Sequence, residues 1–117
     1  MENLKLTFIN SRVIAGDKSL VVVAHEIAHS WTGNFITNKN WQNFWINVGF
    51  TRFVERKIIG IVYGNDMYLV EAFVGYQELL KTIDHIGKDH SFTSLTPDIN
   101  DVNSILNSRL IQMMHLA

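Results

Sequence analysis

His25, Glu26 and His29 stand in the order His-Glu-x-x-His. On a helix, residues four apart share one face, so two imidazoles in this register can grip one metal ion. The glutamate between them falls beside the ion, where its carboxylate can act as general base on a metal-bound water. This is the chemistry of metal-assisted hydrolysis, and one zinc ion is the metal that the spacing suits. The pattern is short, and two histidines at the edge of a core would also produce it. His85, His90 and His115 have no helical partner at metal spacing and read as ordinary surface or loop histidines. The chain has no cysteine, which excludes thiolate ligands and a disulfide framework.

The histidines need a helix to align them and a second element to back them. Ala15-Gly16-Asp17 reads as a turn, with Asp17 capping a helix from about Lys18 to Trp31. Apolar residues surround the histidines almost completely, which predicts a buried helix. Residues 32–40 are loop formers, and a second helix follows from Trp41 or Asn43 to Gly60. Trp41, Phe44, Trp45, Phe53 and Ile58 give it a heavy apolar load, and Trp31, Trp41 and Trp45 read as core. Tyr63-Gly64-Asn65-Asp66 is a break with an N-cap, before a third helix from Asp66 to about Ile86 that stops at Gly87. Its residues Met67, Val70, Phe73, Val74, Leu80 and Ile83 keep a helical rhythm. Residues 4–9 alternate enough for a short strand. Residues 88–103 read as loop around the single Pro97, and 105–117 as a short amphipathic helix.

With 117 residues, 47% of them hydrophobic, the chain suits one compact domain. Ten basic and eleven acidic residues leave a net charge of −1, which gives no electrostatic reason to expect nucleic acid or a membrane surface. The N-terminus lacks the apolar run of a signal peptide, and the longest apolar run, Leu20 to Ala24, is too short to span a bilayer. The expected compartment is cytoplasmic.

The stretch from His25 through Trp41, followed by Phe44-Trp45-Ile46-Asn47, resembles the zinc core of the M1-family aminopeptidases, in the branch of leukotriene A-4 hydrolase and aminopeptidase B. Ala15 to Leu20 and Glu55-Arg56 fit the same branch. The resemblance runs from Met1 to about Asn103, and residues 104–117 diverge from it. It implies a partial thermolysin-like (gluzincin) catalytic domain, mainly α with a short strand element. It also implies a zinc-dependent aminopeptidase acting on peptides. The family supplies its third zinc ligand as a glutamate on the second helix, with eighteen residues between it and the second histidine, and here that place is Val48. Valine has no lone pair, so the resemblance implies weakened zinc binding and impaired or absent activity.

Glu55 lies seven residues after Val48, on nearly the same helix face but about 10 Å further along the axis, too far to replace the missing ligand. It either orients a histidine or forms an ordinary ion pair beside Arg52, Arg56 and Lys57. Met1-Glu2-Asn3 resembles the end of the family's Gly-x-Met-Glu-Asn motif, in which the position of Glu2 binds the free α-amino group of the substrate; the plainer reading is an N-terminal glutamate with no role. The family's catalytic tyrosine has no match, and Tyr63, Tyr68 and Tyr76 sit in other contexts. Two further readings stand beside an impaired peptidase: a non-catalytic peptide- or partner-binding remnant of the fold, and a truncated product with no stable function.

Overall fold

The computed structural model describes residues 2–16, 19–99 and 103. A small hairpin of β1 (Glu2–Asn3) and β2 (Leu6–Thr7) leads through a four-residue helix, α1 (Ser11–Ile14), into three longer helices. These are α2 (Ser19–Ala28), α3 (Phe44–Tyr63) and α4 (Asn65–Ile86), with 3-10 turns at Trp41–Asn43 and Ser91–Thr93. The expected amphipathic tail and the capping residue Asp17 lie outside the described residues.

The strand expected over residues 4–9 is instead half of a hairpin. Glu2 pairs with Thr7 and Asn3 with Leu6, and the chain reverses through Leu4 and Lys5, with Lys5 at φ 66°. A lysine carries no signal for that left-handed conformation, which favours glycine or asparagine. α1 was not expected either; Asn10 caps it by accepting the Arg12 N–H at 2.9 Å.

α2 ends at Ala28, three residues before the expected end at Trp31. The ladder tightens there: Ser30 N–H donates to Ile27 O and Trp31 N–H to Ala28 O, both three residues back. Thr32 then takes Ala28 O with both its N–H and its hydroxyl. Gly33, at φ 120°, turns the chain away and donates to Ile36 O at 2.8 Å. His29 lies just past the helix, yet its N–H still reaches His25 O at 3.2 Å, so both histidines keep the helical register.

The core is small. The buried apolar residues are Ala24 and Ala28 of α2 and Phe44, Val48 and Ile59 of α3, all five at most 4% exposed. α2 is therefore buried along one stripe only, with Ile27 46% exposed, and is not the fully buried helix expected. On α3, Asn40 caps the opening turn by accepting the Asn43 N–H. The heavy apolar load of this helix is not its core face. Phe44 is buried, but Trp41 and Phe53 are about half exposed, because the face toward α2 carries Asn47, Thr51 and Glu55. Trp31 and Trp41 are likewise surface residues, at 61% and 48% exposure, and only Trp45 is half-buried.

α3 continues past Gly60 to Tyr63, and α4 folds back along it through Gly64. Gly60 sits inside the helix at a close approach: a Cβ there would meet Tyr68 Cβ at 2.9 Å. Gly64, with no side-chain cap, joins the helices, and the expected cap residues Asn65 and Asp66 lie within the first turn of α4. The expected apolar rhythm of α4 is helical, but its stripe is not packed. Met67, Val70, Phe73, Val74 and Leu80 are 38–62% exposed, and the one buried residue of α4 is Gly75.

Candidate metal centre

α2 and α3 pack through small residues, and the histidines lie along that seam. Ala24 and Ala28 let α3 approach closely, while His25 and His29 project one turn apart. On α3, Asn47, Thr51 and Glu55 recur every four residues and form a polar stripe inside an otherwise apolar contact. Each histidine is held from this stripe by its Nδ1.

His25 Nδ1 lies 2.6 Å from Glu55 Oε2. Glu55 is 3% exposed and also accepts two hydrogen bonds from Arg52 Nη1, at 3.0 and 3.1 Å. A buried carboxylate needs such partners, since an unpaired charge there costs several kcal/mol. Glu55 thus contacts a histidine and an arginine at once, joining the two alternatives that the sequence left open. His29, 4% exposed, places its Nδ1 2.9 Å from Thr32 O and 3.0 Å from Thr51 Oγ1.

A carbonyl oxygen only accepts, so the His29 contact to Thr32 O puts the proton on Nδ1. The Glu55 carboxylate asks the same of His25. Both Nε2 atoms then carry lone pairs, and they lie 3.1 Å apart with the rings edge to face. Two lone pairs at that distance repel unless a cation or a proton lies between them. Zinc–imidazole bonds of about 2.0–2.1 Å at a near-tetrahedral angle put two nitrogens about 3.3 Å apart, close to this spacing. The pair therefore fits a divalent metal through two imidazoles.

The fit stops there. Among the described residues no three histidine, cysteine, aspartate or glutamate side chains gather to hold a metal. Val48 shares the α3 face of Asn47, Thr51 and Glu55, is 3% exposed, and offers only methyl groups. Glu26, half-buried, follows His25 directly in α2. Glu2 lies in β1 opposite Thr7. His85 and His90 are exposed, His85 on the last turn of α4, and His115 lies outside the described residues. Tyr63 and Tyr76 are more than half exposed, and Tyr68 packs its ring 4.6 Å from Lys57 Nζ.

Thr32 and Thr51 are the site residues that the sequence reading missed. The polar stripe at Asn47, Thr51 and Glu55, four apart on an apolar helix, was the available signal. Gly33 belongs with them: a Cβ there would come within 2.8 Å of Asn47 Nδ2 and 3.0 Å of His29 Nδ1. The closeness of this loop to the imidazole requires glycine.

A helix bearing paired histidines, backed by a second helix that holds their far nitrogens, defines part of a gluzincin-type metallopeptidase domain. The chain belongs to peptidase family M1: the Peptidase family M1 domain matches residues 1–111. It is 45% identical over 104 residues to leukotriene A-4 hydrolase of Xenopus laevis, covering 88% of this chain and 17% of that protein. It is 43% identical over 100 residues to leucine aminopeptidase 2 of Ajellomyces capsulatus, covering 85% of this chain and 16% of that one. The solved structure of native yeast LTA4 hydrolase superimposes with a TM-score of 0.80 at 34% identity, over 98% of this chain and 19% of that chain. The chain thus spans less than a fifth of the length of these relatives. Among the described residues, no helix is long and apolar enough to cross a membrane.

Proposed function

We propose that the chain is the metal-carrying part of an M1 aminopeptidase-type domain that holds zinc weakly through His25 and His29 and is impaired in hydrolysis. The observation that carries this reading is the convergence of two Nε2 atoms at 3.1 Å beside a helix face where position 48 is a buried valine. Catalytic zinc sites use three protein ligands and water, and two imidazoles fall one short. When bound, zinc would polarise a scissile carbonyl and acidify a water molecule. Glu26, which follows His25 in α2, would be the carboxylate to take a proton from that water. Glu55 and Thr51 keep the imidazoles oriented from their Nδ1 sides. The role of Glu2, binding the α-amino group of a peptide, belongs to the same proposal and rests on the motif alone.

Zinc stoichiometry of the purified chain at neutral pH tests the reading, with His25→Ala as control. The expected result is weak binding in the native chain and none in the variant. Equal zinc content in both would reject the site. Turnover of an aminoacyl-amide substrate that disappears in Glu26→Gln would overturn the impairment. A second reading, a non-catalytic binding remnant, draws on the exposed apolar face of α4, where Leu69, Phe73 and Tyr76 are 54%, 62% and 53% exposed.

A further inference from the structure

We infer that Thr51 is a positioning residue: its hydroxyl, together with the Thr32 carbonyl, locks His29 in the Nδ1–H tautomer and so aims the Nε2 lone pair at His25. The inference deepens the two-imidazole reading proposed above and rests on it. Thr51 is fully buried at 0% exposure, where a hydroxyl without partners would be costly. Its Oγ1 has four: Thr32 Oγ1 at 2.6 Å, Asn47 O at 2.7 Å, and His29 Nδ1 and Thr32 O at 3.0 Å each.

One hydroxyl supplies one proton and two lone pairs. The Thr51 proton goes to one of Asn47 O, Thr32 O or the Thr32 hydroxyl oxygen, whose own proton points to Ala28 O. A Thr51 lone pair is then left facing His29 Nδ1, which also faces the Thr32 carbonyl and so meets both oxygens as the donor. The arrangement closes only if His29 carries its proton on Nδ1. With the proton on Nε2, the Nδ1 lone pair would face Thr32 O at 2.9 Å with no hydrogen between them. Thr51 also ties Thr32, the residue that terminates α2, to α3, so the same hydroxyl fixes the carbonyl that shares the work. Without it, the imidazole is free to turn over and exchange its two nitrogens.

The test uses the full chain labelled with 15N. Long-range proton–nitrogen NMR of the zinc-free protein at pH 8 reads the tautomer of each histidine, and competition against a chromophoric chelator reads zinc affinity. Native His29 is expected to be Nδ1–H. Thr51→Val, which keeps the volume and removes the hydroxyl, is expected to mix the tautomers and weaken zinc binding by about 10–100-fold. Thr51→Ser, which restores the hydroxyl, is expected to return both readouts toward native. A Thr51→Val chain with pure Nδ1–H His29 and native affinity would overturn the proposal, as would native His29 protonated on Nε2. A purely structural threonine would shift the melting temperature and leave the tautomer alone. If Thr51→Val fails to fold, the native and Thr51→Ser spectra decide: Nδ1–H in both supports the proposal, and Nε2–H in either overturns it. A native chain that binds no zinc sinks the cation-site reading, while the tautomer shift still decides the part played by Thr51.

Discussion

Val48→Glu is the sharpest perturbation of this site, because it acts in opposite directions with and without metal. Val48 is 3% exposed on the α3 face that also presents Thr51 and Glu55. Without metal, a glutamate there gives up part of the burial of a valine, worth about 1.5–3 kcal/mol in full. It also buries a carboxylate on that face, and an uncompensated buried charge costs several kcal/mol unless it takes up a proton. The net expectation is a loss of about 2–4 kcal/mol, which lowers the thermal midpoint by several degrees. With zinc the sign reverses. A third ligand should raise affinity at least as much as the 10–100-fold attributed to supporting contacts, which is about 1.4–2.7 kcal/mol. Ligand that binds only the folded state adds stability by mass action. Calorimetric melts in chelator and in excess zinc, with a binding titration, read both effects. The variant should melt below the native chain in chelator and respond to zinc far more strongly. A variant with unchanged zinc affinity and an unchanged melt would show that position 48 does not face the imidazoles, and the account of the site would fail with it.

Glu55→Ala removes the partner of His25 Nδ1 and strips Arg52 of its carboxylate. Because Arg52 is 34% exposed and can turn to water, the expected destabilisation is about 3 kcal/mol, the lower end for a broken buried pair, with weaker zinc binding alongside. Denaturant unfolding checks the first and a chelator competition the second. Gly33→Ala forces a side chain to φ 120° and to within 3.0 Å of His29 Nδ1, so it should cost about 1–3 kcal/mol and reduce zinc affinity. Gly60→Ala places a methyl 2.9 Å from Tyr68 Cβ and should push α4 off α3, at a cost of about 1–3 kcal/mol, with zinc affinity unchanged. The contrast between the two glycines is the informative result: one is coupled to the imidazoles and the other is not.

The long helices were legible because their rhythm is local. α3 and α4 fall within a few residues of their expected bounds, and the register of His25 and His29 follows from their spacing alone. The face each helix buries was not legible. Sequence periodicity marks which residues align, but partners decide which stripe is covered. The apolar stripe of α4 lies open, while α3 turns a polar stripe inward. The hairpin was missed because Lys5 adopts a conformation that its residue type does not announce. The end of α2 was missed because Thr32, from outside the helix, takes Ala28 O. The clasp of Thr51 on His29 joins residues 22 apart in the chain, and no short motif encodes such a pairing.

α4 meets α3 near Gly60 and Tyr68, whereas the imidazoles are anchored earlier on α3, at Glu55 and Thr51. α3 therefore divides its length between two separate tasks. Fraying of α4 from its Gly87 end has little leverage on the histidines. Amide exchange should find α4 opening at a lower free energy than the seam between α2 and α3, so that loss of helix in one half of this small protein leaves the chemistry of the other half standing.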